Sequence, residues 1–368
     1  MIPVIQRGKA LIVAAALGFV MVSCGELVDT AHFRSDEART GAYPNGGTPT
    51  LAEPLFTYDA GAPIYSSPVV ASGRVVFGTA AGEILSLDAR TGERLWSFQT
   101  RGRVNSSAAI GGDTVFVGSS DGNVYALDEM TGRSNWRKRV GAPVSSSPLL
   151  SDGIVYVGGT DGMLHALSAD SGETVWDRQV GNAVSSSPAT ANGMLCVGTW
   201  DGMLVALDAS DGEEIWTVEV DDAVVATPAI SDSFIYFGSQ DQNLYAVYLD
   251  SGGYVGQIPV DGPVSASPAV TDDRIYFASW DHAVYSVDPG SGEFNWIFLT
   301  GDAVQSSPCV SGGRVYVGSG DRYIYSIDAE TGEEVARFET GGRINGSPCV
   351  WRNTLYIGSE DGTLYALR

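Results

Sequence analysis

A period of forty residues governs this chain. Residues 126–136 read Ala-Leu-Asp-Glu-Met-Thr-Gly-Arg-Ser-Asn-Trp, and the pattern returns at 166–176 and 206–216. A second signature, Ser-Ser-Pro or a close variant, keeps the same step. Pro68, Pro148, Pro188, Pro228, Pro268, Pro308 and Pro348 are separated by multiples of forty, and Ala108 holds the remaining slot. A fixed period in this range means one supersecondary unit repeated along the chain.

One unit, residues 143–181, holds four short β-rich runs at 144–150, 154–158, 163–167 and 174–180. Asp-Gly and Ser-Gly turns divide them, and no helical period is sustained after residue 50, which predicts an all-β chain. A lone four-stranded sheet of this size leaves both faces bare, whereas radial stacking covers them, so the fold class expected is a β-propeller. Eight slots predict eight four-stranded antiparallel blades over residues 51–368, one unit despite the length of the chain. The last repeat stops at Arg368, the end of its third strand. Residues 54–58 form a run with no preceding partner, and Phe56 lies forty residues before Trp96. This N-terminal run is therefore expected to complete the eighth blade and remove the open edge.

Residues 1–23 read as a secretory signal: Arg7 and Lys9 precede an apolar run at 10–22, which is short for a membrane span. Met21-Val22-Ser23-Cys24 resembles a bacterial lipobox, which implies that Cys24 is lipidated and becomes the mature N-terminus. An ordinary signal cleaved nearby is the alternative. The same resemblance, with Gly25 after the cysteine, implies export to the cell envelope with the outer membrane as destination in a two-membrane host. Residues 24–50 are polar, rich in Gly, Pro and Thr and aperiodic, and predict a flexible tether. Formal charge is −23; without Arg7 and Lys9 there remain 19 basic against 44 acidic residues, or −25. That balance argues against nucleic acid and anionic lipid surfaces as partners.

The pattern Ala-Leu-Asp-x-x-Thr-Gly-x-x-x-Trp resembles the PQQ-type repeat of quinoprotein propellers. It is nearly complete at 126–136 and 206–216 and slightly altered at 86–96, 166–176 and 286–296. Two branches share this repeat, the PQQ-dependent dehydrogenases and the non-catalytic lipoprotein scaffolds of the BamB type. Lipobox, length and blade count resemble the second branch. It implies a monomeric, membrane-tethered scaffold that binds envelope proteins, among them a β-barrel assembly complex. WD40 repeats share the period, but their Gly-His element is absent, and Trp200-Asp201 and Trp280-Asp281 fall in the second hairpin turn.

The dehydrogenase branch implies an adjacent cysteine pair, a carboxylate base and Glu, Asn and Asp calcium ligands, often on long inserted loops. This chain has no adjacent cysteines and almost no insertions between repeats. His32, His165 and His282 are scattered, with His165 in a slot held by Tyr elsewhere. The Asp residues recur at turn positions and read as turn chemistry. A hydroxyl recurs at Ser67, Ser107, Ser147, Ser187, Thr227, Ser267, Ser307 and Ser347 with no paired base; it reads as a hydrogen bond within a blade or to its neighbour. Cys196 reads as a small core residue, and Cys309 and Cys349 as buried free thiols, a disulfide between adjacent blades being the alternative. No catalytic, cofactor-binding or metal-ligating residue is assigned, and no cofactor is expected.

What varies between repeats carries the binding information. Blade connections and second hairpin turns of a propeller open on one face. In ring order, blades 7, 8, 1 and 2 bring Arg322, Arg343, Tyr65, Arg101 and Arg103 to these slots. Blades 5 and 6 bring Asp221, Asp222 and Asp261, while Trp200 and Trp280 project from the turns of blades 4 and 6. Exposed Arg, Tyr and Trp make binding hot spots, so these seven basic and aromatic residues form the candidate partner-binding set. Drift among eight copies is the alternative. The outer edge is a second candidate, because Gly256 and Ala336 stand where Trp is usual. Two other functions remain open: a PQQ-dependent oxidoreductase, and a ligand- or glycan-binding propeller using Trp200 and Trp280.

Overall fold

Each repeat folds as a short inner strand, two buried middle strands and an exposed outer strand. Blade 1 comprises Val69–Ala71, Arg74–Gly78, Glu83–Asp88 and Arg94–Gln99, and the later blades follow at steps of forty. The computed structural model describes residues 31–368, which form eight four-stranded antiparallel sheets. The signal and lipobox readings, with Cys24, lie outside the described residues. The middle strands are buried along nearly their whole length, because neighbouring blades cover both faces of each sheet. The outer strands alternate, and every second side chain meets solvent.

Ring closure follows the sequence. Pro54–Asp59 pairs with Thr363–Leu367, and Phe56 faces Ala366 as Trp176 faces Ala166 in blade 3. Blade 8 therefore takes its outer strand from the start of the propeller and its other three from the end.

Two sets of contacts join each blade to the next. Near the axis, the recurring hydroxyls form a closed cycle. The Ser67 amide donates to Ser107 Oγ, Ser107 to Ser147 and Ser147 to Ser187. Ser187 continues to Thr227, Thr227 to Ser267, Ser267 to Ser307 and Ser307 to Ser347. The Ser347 amide then returns to Ser67 Oγ at 2.8 Å. At the outer radius, the indole Nε1 of Trp96, Trp136, Trp176, Trp216 and Trp296 donates to the carbonyl 33 residues on, in the following blade. Each ring lies on a glycine of that blade held at positive φ. A Cβ at Gly132, Gly172, Gly212, Gly252 or Gly332 would sit 2.5–2.7 Å from the indole. Gly92 meets Phe56 in the same way, so Phe56 does occupy the Trp slot.

Ser147→Ala would leave the Ser107 amide buried without its acceptor, a loss of about 1–3 kcal/mol. We expect that loss in urea unfolding, with Ser147→Thr recovering most of it, as Thr227 serves in blade 5.

Candidate functional site

Hydrogen bonds fix which turns share a face. In every blade the amide of the second hairpin turn donates to the carbonyl of the preceding connection, from Ala80 to Pro63 O round to Glu360 to Arg343 O. Tyr65, Arg101, Arg103, Trp200, Trp280, Arg322 and Arg343 therefore all belong to this loop face. Its turn aspartates build the scaffold. Asp121, Asp241, Asp281, Asp321 and Asp361 each accept from the Tyr hydroxyl four residues on. Asp121, Asp241, Asp281 and Asp321 also accept an amide of the neighbouring connection. Burial, then the Asp121 carboxylate, pushes Tyr125 up to about 12. Blade 3 puts His165 in the Tyr slot, where its Nδ1 contacts Asp177 at 2.7 Å instead.

The candidate residues differ in how free they are. Arg343 pairs with Asp302 at 3.1 Å and Arg322 with Glu339 at 3.0 Å. Arg101 and Arg103 are exposed and make no ion pair among the described residues. The expected cationic sector is thus partly neutralised, and its uncompensated charge sits on the connection between blades 1 and 2. Trp200 is 55% exposed and donates from Nε1 to Ser185 Oγ at 2.6 Å, while Trp280 is 42% exposed. Tyr65 is half-buried. Arg322 has φ 78°, in a turn position that Gly82, Gly122, Gly162, Gly202 and Gly362 hold elsewhere. Left-handed backbone at a side chain costs roughly 1–2 kcal/mol.

The other end of the central channel is filled by a segment that composition assigns to a tether. Over residues 31–50 that expectation fails. The inner strands present unpaired backbone to the channel, and such groups need partners when buried. The amides of Ile110, Thr190, Ile230, Val270 and Val310 donate to the carbonyls of Ala31, Glu37, Ala38, Thr40 and Gly41. Arg34 and Arg39 are buried in this segment. Arg34 donates to the carbonyls of Arg39, Pro268 and Pro308, and Arg39 to those of Phe33, Pro148 and Pro188. Burial lowers them to about 10 and about 9, still charged at neutral pH. The segment leaves along the first hairpin turns of blades 7 and 8, where Gly46 O accepts from the Asn353 amide and Thr48 contacts Gly312. It therefore plugs the face opposite the loops. Arg34, Arg39 and His32 lie outside the repeat register, so the forty-residue pattern carried no signal for them.

A cavity of about 860 Å³ lies on this plugged face, between Ala38, Thr40 and the first hairpin turns of blades 5 and 6. None of the seven loop-face candidates lines it. Cys196, Cys309 and Cys349 are buried free thiols, which burial pushes up. No three His, Cys, Asp or Glu among the described residues converge to hold a metal. The turn aspartates Asp121, Asp241, Asp281, Asp321 and Asp361 are engaged by Tyr donors, and the far end of the channel holds two guanidinium groups that repel a divalent cation. The residues present do not fit a calcium-bound quinone cofactor.

Fold and site define the class: an eight-bladed β-propeller of quinoprotein-type repeats, plugged on one face. The family model described as outer membrane protein assembly factor BamB matches residues 50–149, 101–182, 120–282, 212–309 and 281–368. The chain belongs to that family. Among solved structures, BamB from Moraxella catarrhalis is similar at TM-score 0.76 and 20% identity, covering 86% of this chain and 99% of that one. Quinohemoprotein alcohol dehydrogenase from Comamonas testosteroni reaches TM-score 0.81 at 14% identity, covering 92% of this chain and 80% of that one. The computationally designed Ika8 protein gives 0.77 at 19% identity, covering 86% and 99%. At such identities these likenesses establish the fold alone. No curated protein sequence matches the chain.

His32 gives the plug a pH dependence. It is 5% exposed, and neither ring nitrogen has a hydrogen-bond partner among the described residues. Burial, then the Arg39 charge, lowers it from 6.5 to about 3. Between those values the unfolded chain binds a proton that the folded chain refuses. The His32 contribution to stability is therefore full above 6.5 and falls by about 1.4 kcal/mol per pH unit between 6.5 and about 3. Urea midpoints at pH 6.5 and 5 should show the wild type losing about 2 kcal/mol more than His32→Leu.

Proposed function

We propose that this protein is a non-enzymatic, membrane-tethered scaffold whose loop face binds envelope proteins during outer-membrane β-barrel assembly. The observation that carries the reading is the BamB family match, which extends from residue 50 to 368. The geometry supports it in two ways. Arg101, Arg103, Trp200 and Trp280 offer exposed basic and aromatic side chains on one face, the residue types that dominate binding energy at interfaces. The plug lies on the other face and leads back towards Cys24. With Cys24 lipidated, the seven residues to Ala31 span at most about 25 Å. That length holds the plugged face near the membrane and turns the loop face outward. The oxidoreductase reading has less support, because the turn carboxylates already serve the scaffold.

Crosslinking and affinity capture of the tethered protein from its native envelope test this reading. Recovery of a β-barrel assembly protein, reduced by Arg101→Ala combined with Arg343→Ala, is the expected outcome. These exposed substitutions should change stability by no more than about 1 kcal/mol, including loss of the Arg343–Asp302 pair. Capture that is unchanged by them would remove the loop-face assignment, and recovery of no assembly protein would remove the scaffold reading.

A further inference from the structure

The outer clasp between blades is broken at one place. Gly256 stands in the Trp slot of blade 5, and a Cβ built on it meets nothing within 4 Å. Gly292, the glycine that an indole from blade 5 would cover, also has nothing within 4 Å and is exposed. Its counterparts at Gly132, Gly172, Gly212, Gly252 and Gly332 each carry an indole at 2.5–2.7 Å from a built Cβ.

The acceptor is vacant too. Counting 33 residues from Gly256 reaches Pro289, and no donor among the described residues bonds to its carbonyl. In blades 3 and 6 the equivalent carbonyl also takes a Tyr hydroxyl, Tyr156 to Ala209 O and Tyr276 to Ala329 O. Tyr236, which would play that part here, does not donate to Pro289 O. What remains is a notch of about 240 Å³ lined by Tyr236, Ala246, Ile258, Val287, Pro289 and Gly292. Tyr254 and Val255 beside it are 61% and 43% exposed.

The other Trp-less slot shows that this vacancy is not a general feature of weak repeats. Ala336 of blade 7 packs in the same cluster as Leu51, and Tyr316 donates its hydroxyl to Pro49 O at 2.8 Å. The segment that enters the ring thus fills the blade 7 edge, and nothing among the described residues fills the blade 5 edge.

We propose that the notch between blades 5 and 6 receives a tryptophan side chain from an extended segment of a partner polypeptide. The indole lies on Gly292 with Nε1–H donating to Pro289 O, the arrangement five indoles of this same ring adopt in cis. An apolar floor, a glycine platform and an oriented carbonyl select an aromatic ring with one donor over an aliphatic side chain. The notch lies on the outer edge, away from Arg101 and Arg343, and does not depend on the loop-face reading.

The test is amide NMR of the full propeller titrated with the peptide acetyl-Thr-Ser-Trp-Ser-Thr-amide. We expect saturable shifts at Gly256 and Gly292, lost when Trp is replaced by Leu in the peptide. Gly256→Trp fills the slot in cis and should abolish the shifts while raising the thermal midpoint. Gly292→Ala places a methyl where the ring must lie and should weaken binding at least about fivefold, a second check should Gly256→Trp misfold. N-acetyl-tryptophanamide should bind about tenfold more weakly than the peptide, since flanking backbone adds contacts. Equal affinity would assign the slot to free indole compounds and overturn the polypeptide source. Absence of shifts at both glycines at millimolar peptide, or shifts unaltered in either variant, would overturn the site.

Discussion

Eight hydroxyls joined amide to oxygen in a closed cycle hold the centre of this molecule. Each hydroxyl accepts from the amide of the preceding blade, and Ser347 returns to Ser67 across 280 residues of sequence. Within the closed ring, the loss of any one hydroxyl leaves an amide without an acceptor in a buried place, where the missing bond is expensive. Only the complete ring satisfies all eight. The indole clasps do the same at larger radius, so five of the eight interfaces are latched both near the axis and near the rim. Hydrophobic contact between the middle strands fills the space between the two latches, and its burial is the larger driving force.

A ring closed this way leaves a hole lined with backbone, and the chain uses its own N-terminal segment to fill one end. Arg34 and Arg39 spread their donors over carbonyls from blades 3, 4, 6 and 7. Two charges are tolerated in that buried place because carbonyl dipoles surround them and Asp36 lies close by. The consequence is directional. One face is closed by the segment that leads to the N-terminus, and the other leaves Arg101, Arg103, Trp200 and Trp280 exposed. His32, buried with them and held neutral, adds an acid-sensitive group to the closed face.

Departures from the repeat fall into two kinds. Some are compensated inside the chain: Phe56 serves as the indole of blade 8, His165 replaces a tyrosine and finds Asp177, and Leu51 fills the edge beside Ala336. Others are not. Gly256 leaves its platform and its acceptor open, and Arg322 accepts a left-handed backbone where glycine is usual. Uncompensated departures are where selection for something besides folding has room to act, because a repeat protein has seven other copies showing what the fold prefers.

Periodicity by itself determined the all-β class, the eight blades, the N-terminal strand of blade 8 and the structural part played by the serines, tryptophans and turn aspartates. Those features are local and recur, so forty-residue spacing is enough to expose them. The shared face of Tyr65, Arg101, Arg103, Trp200, Trp280, Arg322 and Arg343 was legible for the same reason, since each occupies a repeat slot. Only the tertiary structure decided that Arg322 and Arg343 are paired and that Arg101 and Arg103 have no ion pair among the described residues, because those carboxylates come from other strands and other connections. It alone decided that residues 31–50 are a plug rather than a tether. Their polar composition reads as linker, yet their partners are carbonyls and amides of inner strands that exist as a lined channel only once the ring has closed.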